Sequence, residues 1–216
     1  MKYLFVIGAQ KAGTTYLYQL LKQHSSVCVS RFKELHFFQD DREYKKGIGN
    51  FKGKFNVTPG TKYLADFTPS YIVEKDTLEK IKTMFGDDAM IIVLLRDPVE
   101  RIFSQYRMEC SKGNEKRSFN ELVKEELAKE RKLRSLTGRG LYSEQLERVY
   151  KTFDKDHVKI IRFEDLANRT DETLETIFNF LEIGNEDISK DVVQKTTPDS
   201  RPRGMAGLYY KVPFAF

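Results

Sequence analysis

Residues 8–15 show the clearest chemical pattern in the sequence. Gly8 and Gly13 lie five positions apart with Lys11 between them, close to the phosphate-binding pattern GxxxxGK[ST]. Thr14 stands where that pattern has its lysine. A glycine turn that leads into a helix N-terminus offers backbone N–H groups and the positive end of the helix dipole, which suit an anion. The segment therefore predicts an anion-binding loop, and the alternative is a plain glycine turn with a solvated lysine.

A second group of anion-binding side chains follows the most apolar run of the sequence. Arg96 comes at the end of that run, and Ser104 follows eight residues later. An Arg guanidinium together with a hydroxyl donor suits a phosphate dianion. Two interpretations stay open, since Arg96 could instead pair with Asp97 or Glu100 at the surface and Ser104 could be an ordinary helix serine.

Glu34 and His36 are the only obvious proton acceptors near the end of a predicted strand. A hydroxyl is a poor nucleophile until a base takes its proton, so either residue could serve that step. For Glu34 the alternative is an ion pair with Lys33 or Lys11. For His36 the alternatives are a histidine facing the core and a contact to the acceptor.

The run from Gln10 to Leu17 resembles the 5′-phosphosulfate loop (KxGTTxL) of sulfotransferases that use 3′-phosphoadenosine 5′-phosphosulfate (PAPS). Within that family it is most similar to the heparan-sulfate type and its bacterial relatives. The resemblance implies that Lys11 and the nearby backbone hold the 5′-phosphate and the sulfuryl group. The residues that it assigns to donor binding here are Gln10, Lys11, Ala12, Gly13, Thr14 and Thr15.

Three more segments extend the resemblance. Residues 96–106 are similar to the family's RDPxxRxxSxY motif, which implies that Arg96 and Ser104 hold the 3′-phosphate. Residues 33–38 resemble a segment whose glutamate is the catalytic base in heparan-sulfate members, which gives that role to Glu34 ahead of His36. The tail at 200–204 lies where relatives have a basic loop over the nucleotide, and the residues implied there are Arg203 and Gly204.

The resemblance implies transfer of a sulfuryl group from PAPS to a hydroxyl or amine of a carbohydrate or small-molecule acceptor, by in-line displacement. Glu34 would take the acceptor proton, while Lys11 and the loop N–H groups would stabilise the leaving group. Residues 65–71 resemble the family's (E/D)-x-(S/T)-P-x-Y segment at the acceptor cleft. Some heparan-sulfate members have a catalytic lysine where this chain has Phe67. The resemblance therefore supports neither a second active-site lysine nor a highly sulfated polysaccharide acceptor.

Short apolar runs alternate with amphipathic stretches, which predicts a parallel sheet with helices on both faces. We expect a P-loop-like, three-layer α/β domain that comprises residues 1–216. Ligands bind beyond the carboxyl ends of such strands, so the candidate residues should meet at that edge. Strands are predicted at 3–7, 26–29, 63–65, 89–95 and 158–162, and helices at 14–24, 76–85, 98–110, 119–133, 142–153 and 171–181.

Composition narrows the class of protein. The 216 residues are 40% hydrophobic and 32% charged, with a formal net charge of +5, which is ordinary globular usage. No apolar run approaches the roughly 18 residues that indicate a membrane span. The positive excess lies in residues 1–65 and 195–216, whereas the middle of the chain is slightly acidic. This distribution predicts a local site for one polyanionic ligand and no nucleic-acid partner.

Neither a disulfide framework nor a metal site is expected. Cys28 and Cys110 have no CxxC spacing and are interpreted as two small buried hydrophobic residues. The histidines at 24, 36 and 157 are dispersed, and no HExxH pattern is present. The N-terminal apolar run is too short for a signal peptide, so a cytoplasmic protein is expected.

Two other functions stay open at this point: a P-loop kinase of a small molecule or nucleotide, and a nucleotide-binding module without turnover. Acceptor choice is expected to depend on loops at 39–62 and 107–140. The lysine-rich stretch 45–54 is interpreted as a solvated loop, and the alternative is a contact with an anionic saccharide. Members of the family that this chain resembles usually continue beyond the loop at 200–204, and we expect either a chain shortened at its C-terminus or a compact member. The sequence does not predict an oligomeric state.

Overall fold

The computed structural model of the chain describes residues 1–128 and 135–191. In this part, five parallel strands form one sheet in the spatial order β2-β3-β1-β4-β5. The central strands are apolar and buried along nearly their whole length, as expected for parallel strands covered on both faces. The strands are β1 (Lys2–Gly8), β2 (Val27–Val29), β3 (Tyr63–Phe67), β4 (Ala89–Leu95) and β5 (Val158–Arg162).

Helices cover both faces of this sheet. The structure gives α1 (Thr14–Leu21), α2 (Asp41–Lys45), α3 (Gly47–Lys52), α4 (Lys75–Phe85), α5 (Pro98–Ser111), α6 (Phe119–Ala128), α7 (Tyr142–Thr152), α8 (Phe163–Asn168) and α9 (Thr170–Phe180). Short 3-10 turns occupy Tyr71–Val73, Gly86–Asp88, Gly138–Gly140 and Lys155–His157. No helix of the described ranges is long and apolar enough to cross a membrane.

The start of α5 follows directly from its sequence. The Asp97 side chain accepts a hydrogen bond from the backbone N–H of Glu100 at 2.9 Å and so caps the helix. Pro98 occupies the first turn, where its missing N–H leaves no helical hydrogen bond unmade. Because Asp97 caps α5, Arg96 lies at the junction between β4 and the helix, at the carboxyl edge of the sheet.

Alternate residues of β1 pack into two separate cores. Leu4 and Val6 belong to the core under α1 and α9, whereas Phe5 and Ile7 belong to the core on the other face. The second core is rich in aromatic rings, and Phe38, Phe51 and Phe85 pack against Phe5 within 6 Å between ring centroids. Phe38 comes shortly after Glu34 and His36 in the chain, so this core anchors the segment that contains the predicted base.

The predicted three-layer α/β fold is confirmed, and β4 and β5 have the predicted bounds. The helix predicted at 14–24 is shorter, and the end of the helix predicted at 119–133 lies outside the described residues. The loop predicted at 45–54 is wrong, although three of its four lysines are exposed to solvent. That stretch belongs mainly to α2 and α3, and Phe51 within it is fully buried in the aromatic core.

Cys28 and Cys110 are both free thiols. The interpretation of two buried hydrophobic residues is only partly right, because both side chains are half-buried. Cys28 lies on the edge strand β2, and its thiol contacts the backbone oxygen of Asn56 at 3.3 Å. Burial raises the pKa of this thiol above its usual value, which disfavours the reactive thiolate.

Candidate active site

The loop after β1 is held by close backbone packing. Gly13 has a φ of +85°, and α1 begins immediately after it. A Cβ at Gly13 would lie 2.7 Å from the Phe163 ring. A larger residue would therefore be strained at this φ and would clash with the ring. The N-terminus of α1 therefore opens at the carboxyl edge of the sheet, and its first-turn N–H groups are available for an anion.

Lys11 projects from the same loop, with a left-handed backbone of φ 70°. Its Nζ lies 3.8 Å from the Sδ of Met108 on α5. Burial lowers the pKa of Lys11, and the nearby cations Arg96 and Lys112 lower it further. Such a crowding of positive charge around one amine is relieved by a bound anion, which agrees with the loop's predicted role.

Arg96 connects the loop to the second predicted anion site. Its Nη1 donates to the backbone oxygen of Lys11 at 3.3 Å, and its Nη2 pairs with Glu100 at 3.4 Å. The guanidinium also lies over the Phe163 ring, 4.7 Å from its centroid. The ion pair with Glu100, left open as an alternative, therefore exists, and Arg96 lines the same cavity as the loop.

A cavity of about 650 Å³ brings most of the predicted residues together. Five separate segments contribute, one beyond the carboxyl end of each strand: the loop after β1 with the start of α1, the residues after β2, Pro69 after β3, the β4–α5 junction with α5, and Phe163 after β5. Of the predicted site residues, those that line it are Gln10, Lys11, Gly13, Thr14, Thr15, Glu34, Arg96 and Ser104. The Oε1 atom of Gln10 is buried there without a hydrogen-bond partner in the part of the chain that the structure describes, so a ligand could supply the missing donor.

Four of the predicted site residues are not among the described residues that line this cavity, and His36, one of them, is described below. Ala12 is fully buried and contributes only to the shape of the loop. Arg203 and Gly204 lie outside the described residues.

Sequence reasoning missed several lining residues. Phe103, Arg107 and Met108 line the cavity from α5, on the helix face that also presents Ser104. The spacing of three and four residues from Ser104 was the signal that could have found Arg107 and Met108. Phe103, which directly precedes Ser104, has no such signal. Phe163, at the start of α8, was not predicted as a site residue, yet it packs on Gly13, stacks with Arg96 and lines the cavity.

Glu34 reaches the cavity from an unusual backbone conformation, with a φ of 65°. Its Oε1 pairs with Lys33 Nζ at 2.6 Å, so the ion pair that sequence analysis left open is present. Its Oε2 lies 3.9 Å from His36 Nε2. The Glu34 side chain is 41% exposed, so solvent reaches the carboxylate and the Coulomb energy of the pair is screened.

His36 lies beside the cavity and is not among the lining residues. Its side chain is about half exposed, which excludes the alternative of a histidine facing the core. Its Nδ1 lies 2.6 Å from Gln39 Oε1. His36 therefore contacts Glu34 on one side of the ring and Gln39 on the other.

A buried carboxylate, that of Asp66, is hydrogen-bonded to the backbone of the segment that contains Glu34 and His36. Asp66 is fully buried, and it accepts hydrogen bonds from the hydroxyls of Thr68 (2.7 Å) and Tyr71 (2.8 Å). The backbone N–H of Leu35, between Glu34 and His36, donates to the same carboxylate. Burial raises the pKa of Asp66 to about 6 despite these hydrogen bonds.

Phe67, the residue at the position of a lysine in some heparan-sulfate members, points away from the cavity. It is fully buried and packs edge-on against Tyr18 at 5.3 Å between ring centroids. Asp66, the preceding residue of β3, faces the opposite side, as alternation along a strand requires.

One histidine, His157, lies close in space to two aspartates. Asp87, Asp154 and His157 bring possible metal-ligand atoms within 4.8 Å of one another. These residues precede β4 and β5 and so lie at the amino edge of the sheet, opposite the cavity. Asp87 already pairs with Lys82 at 2.7 Å.

Comparison with known proteins decides the family. Residues 2–202 match the family model of the sulfotransferase domain. The chain belongs to the sulfotransferase family. Among solved structures, a sulfotransferase from Alicyclobacillus acidocaldarius aligns with a TM-score of 0.70 and 26% identity over 94% of this chain and 87% of that one. Mouse sulfotransferase SULT7A1 complexed with PAP aligns with a TM-score of 0.62 over 86% of this chain and 61% of that one. At 14% identity it shows the fold alone.

Curated sulfotransferases add sequence relatives. Heparan sulfate glucosamine 3-O-sulfotransferase 5 of Mus musculus is 25% identical over 184 residues, which cover 82% of this chain and 52% of that protein. Heparan sulfate glucosamine 3-O-sulfotransferase 3B1 of Mus musculus is 35% identical over 118 residues, which cover 55% of this chain and 29% of that protein. The chain thus spans about half the length, or less, of these curated relatives. Membership of the sulfotransferase family favours the predicted sulfuryl transfer over the kinase alternative.

Proposed function

We propose that this chain transfers a sulfuryl group from PAPS to a hydroxyl or amine of a saccharide or small-molecule acceptor. One observation carries the proposal. Lys11, Glu34 and Arg96 come from three separate segments of the chain, yet all three line one cavity at the carboxyl edge of the sheet. A base, a cation beside a helix N-terminus and an Arg are the groups that in-line transfer from a phosphosulfate donor requires.

The donor would bind along the loop after β1 and the first turns of α5. Lys11 and the first N–H groups of α1 face the position of the 5′-phosphosulfate, where they would stabilise the charge that develops on the leaving oxygen. Arg96 and Ser104 would hold the 3′-phosphate, since a guanidinium fork and a hydroxyl match a phosphate dianion. Arg107, one turn beyond Ser104, adds a further positive charge to the same wall.

The acceptor would enter from the side of Glu34, which takes its proton during attack. Support for a saccharide comes from the names of the sequence relatives, which are heparan sulfate glucosamine 3-O-sulfotransferases. The buried Phe67 leaves no lysine at the position that is catalytic in some members of that group. A saccharide or small molecule with few sulfates is therefore the acceptor that this cavity fits best.

The decisive experiment compares Lys11→Ala and Glu34→Gln with wild type in transfer from labelled PAPS to an acceptor panel. We expect a loss in turnover of about 10²–10³-fold for Lys11→Ala, because a donor to the leaving group is removed. For Glu34→Gln we expect a loss of about 10²–10⁴-fold, because the base is removed. Lys155→Ala, just before β5 at the amino edge of the sheet, and Glu175→Gln on α9 are the matched controls, since both residues are exposed and neither lines the cavity.

Calorimetry with 3′,5′-phosphoadenosine and with ATP accompanies the assay. Glu34→Gln should keep wild-type affinity for 3′,5′-phosphoadenosine while it loses turnover. Wild-type turnover in both variants, with nucleotide still bound, would contradict the assigned roles. Preference for ATP with magnesium would support a kinase, and binding without turnover on any acceptor would support a module without activity.

A further inference from the structure

The side chain of Gln39 is oriented by three polar neighbours. Its Nε2 lies 2.7 Å from Glu74 Oε1, and its Oε1 lies 2.9 Å from Ser70 Oγ and 2.6 Å from His36 Nδ1. The backbone N–H of Gln39 donates to the His36 carbonyl at 3.0 Å, a tight turn that brings the two side chains together. The next residue towards the N-terminus, Phe38, is fully buried, so the turn is anchored in the aromatic core.

These contacts fix which way the amide points. An ionised carboxylate only accepts hydrogen bonds, so the amide NH₂ must face Glu74. The amide oxygen then faces Ser70, which can donate, and His36. Because an amide oxygen only accepts, Nδ1 of His36 must carry the hydrogen.

The other ring nitrogen is consequently unprotonated when His36 is neutral. That nitrogen, Nε2, lies 3.9 Å from the Oε2 of Glu34. Neither atom carries a hydrogen in this state. The two acceptors therefore face each other, and one proton can bind between them. Glu34, Asp66 and Glu74 are the acidic groups around the ring, and Lys33 is the nearby cation.

We propose that Gln39 is a positioning residue that holds neutral His36 in the Nδ1–H tautomer, so that Nε2 receives the proton that Glu34 takes from the acceptor. This inference rests on the proposed sulfuryl transfer. The acceptor O–H bond breaks, its proton passes to the Glu34 carboxylate and then to Nε2, and the ring becomes an imidazolium while Glu34 returns to its ionised form. The gap of 3.9 Å closes with a small side-chain rotation, as is common before substrate binds.

His24 provides an internal reference with the opposite tautomer. Its Nε2 lies 2.8 Å from the backbone oxygen of Gly184, so Nε2 must donate. Its Nδ1 accepts from the backbone N–H of Ser26 at 3.1 Å. The chain contains only three histidines, so each ring can be assigned in one spectrum of the full chain.

The test records long-range ¹H–¹⁵N spectra of the ¹⁵N-labelled full chain at about pH 8, where an unperturbed imidazole is neutral. We expect the Nδ1–H pattern for His36 and the Nε2–H pattern for His24. Gln39→Leu should abolish the preference at His36, whereas the double change Gln39→Glu with Glu74→Gln should keep it, because an oxygen still faces Nδ1 and an amide donor still faces the acceptor beside it. Gln23→Leu, remote from the cavity, is the matched control and should leave His36 unchanged.

Kinetics separate positioning from a purely structural role. Gln39→Leu should lower kcat about tenfold through misorientation of the ring, with unchanged affinity for 3′,5′-phosphoadenosine. An Nε2–H pattern at His36 in wild type, or an unchanged pattern in Gln39→Leu, would overturn the proposal. The spectra can be recorded without turnover. A chain that is inactive but shows the expected tautomers would therefore refute the proposed function, while the role of Gln39 in setting the His36 tautomer would still be supported.

Discussion

Two sides of the cavity position their functional groups by different means. On the loop side, defined as residues 8–15 with Arg96, the backbone positions the groups: Gly13 is pressed against Phe163, and the Arg96 guanidinium donates to a loop carbonyl. On the Glu34 side, defined as residues 33–39, contacts between side chains position the functional groups. Glu34 and His36 both have positive φ without being glycine, and neighbours elsewhere in the sequence hold them.

The difference has a physical reason. A loop that binds an anion through N–H groups needs the same backbone shape for every donor molecule, and glycine with tight packing fixes that shape. A base needs its carboxylate within reach of solvent and acceptor, so it cannot be buried in the same way. On the Glu34 side, Asp66 instead accepts a hydrogen bond from the backbone N–H of Leu35, and Gln39 contacts the His36 ring. The following changes test this contrast, beginning with the largest expected effect.

Asp66→Asn tests the buried support of the Glu34 side. Asp66 has a pKa of about 6 in the folded chain, above the roughly 3.9 of an unfolded chain, so the folded state holds the proton more tightly. Its contribution to stability is present below about pH 4 and is lost as pH rises through 6, a loss of about 3 kcal/mol at 1.4 kcal/mol per pKa unit. The variant has no such slope, because an amide does not ionise in this range.

Urea unfolding of both proteins at several pH values between 4 and 7 measures this effect. The stability of the variant relative to wild type should rise by about 3 kcal/mol across that range. Asp76→Asn, at an exposed position on α4, is the control and should keep the wild-type slope. Parallel curves for wild type and Asp66→Asn would mean that the Asp66 carboxylate is not held as the structure shows.

Gly13→Ala tests the packing of the loop side. The new Cβ would lie 2.7 Å from the Phe163 ring at a φ of +85°, so the variant suffers both backbone strain and a steric clash. Gly60→Ala is the matched control, because Gly60 has a φ of +92° with nothing within 4 Å of a Cβ. Gly60→Ala should cost about 1 kcal/mol of unfolding free energy, and Gly13→Ala about 2 kcal/mol more. Equal losses in denaturant unfolding would show that Phe163 does not restrict the loop.

The sequence could predict that the loop-side residues come together because their determinants are local, and their role in binding an anion stays a prediction. Gly8, Lys11 and Gly13 follow one another within six residues, directly after an apolar run, and parallel strands bring their carboxyl ends to one edge. Arg96 was predicted to lie at the same edge because the apolar run at 89–95 ends just before it. Phe163 was not predicted as a site residue, since its contacts with Gly13 and Arg96 depend on how β5 and α8 turn in space.

On the Glu34 side the residues alone marked Glu34 and His36 as possible proton acceptors near a strand end, and family resemblance ranked Glu34 ahead of His36. Nothing local indicates that Gln39 orients His36, because Ser70 and Glu74 are 31 and 35 residues away from Gln39 in the chain. The helices α2 and α3 were missed for a related reason: they have five and six residues, too few for a helical period to emerge. The grouping of His157 with two aspartates was missed because spacing in sequence does not report distance across a sheet edge.

Arg96→Lys separates the charge of Arg96 from its shape. Lysine keeps one positive charge but loses the second donor and the planar group that lies over Phe163. We expect calorimetry to show about tenfold weaker binding of 3′,5′-phosphoadenosine, equivalent to about 1.4 kcal/mol. Arg42→Lys, whose side chain is 90% exposed on α2, is the control and should bind as wild type. Unchanged affinity in Arg96→Lys would show that only charge matters at this position.

Lys33→Met gives the smallest expected change in stability and the sharpest test of the Glu34 side. Lys33 pairs with Glu34 at 2.6 Å, and Lys151 pairs with Glu147 at the same distance on the exposed face of α7. Both pairs are solvent-accessible, so Lys33→Met and Lys151→Met should each change unfolding free energy by less than about 1 kcal/mol. Only Lys33→Met should lower turnover, by a few-fold, because Glu34 loses the contact that orients its Oε1. If the two variants matched in turnover as well as in stability, side-chain contacts would not be what holds the Glu34 side in place, and the contrast with the loop side would fail.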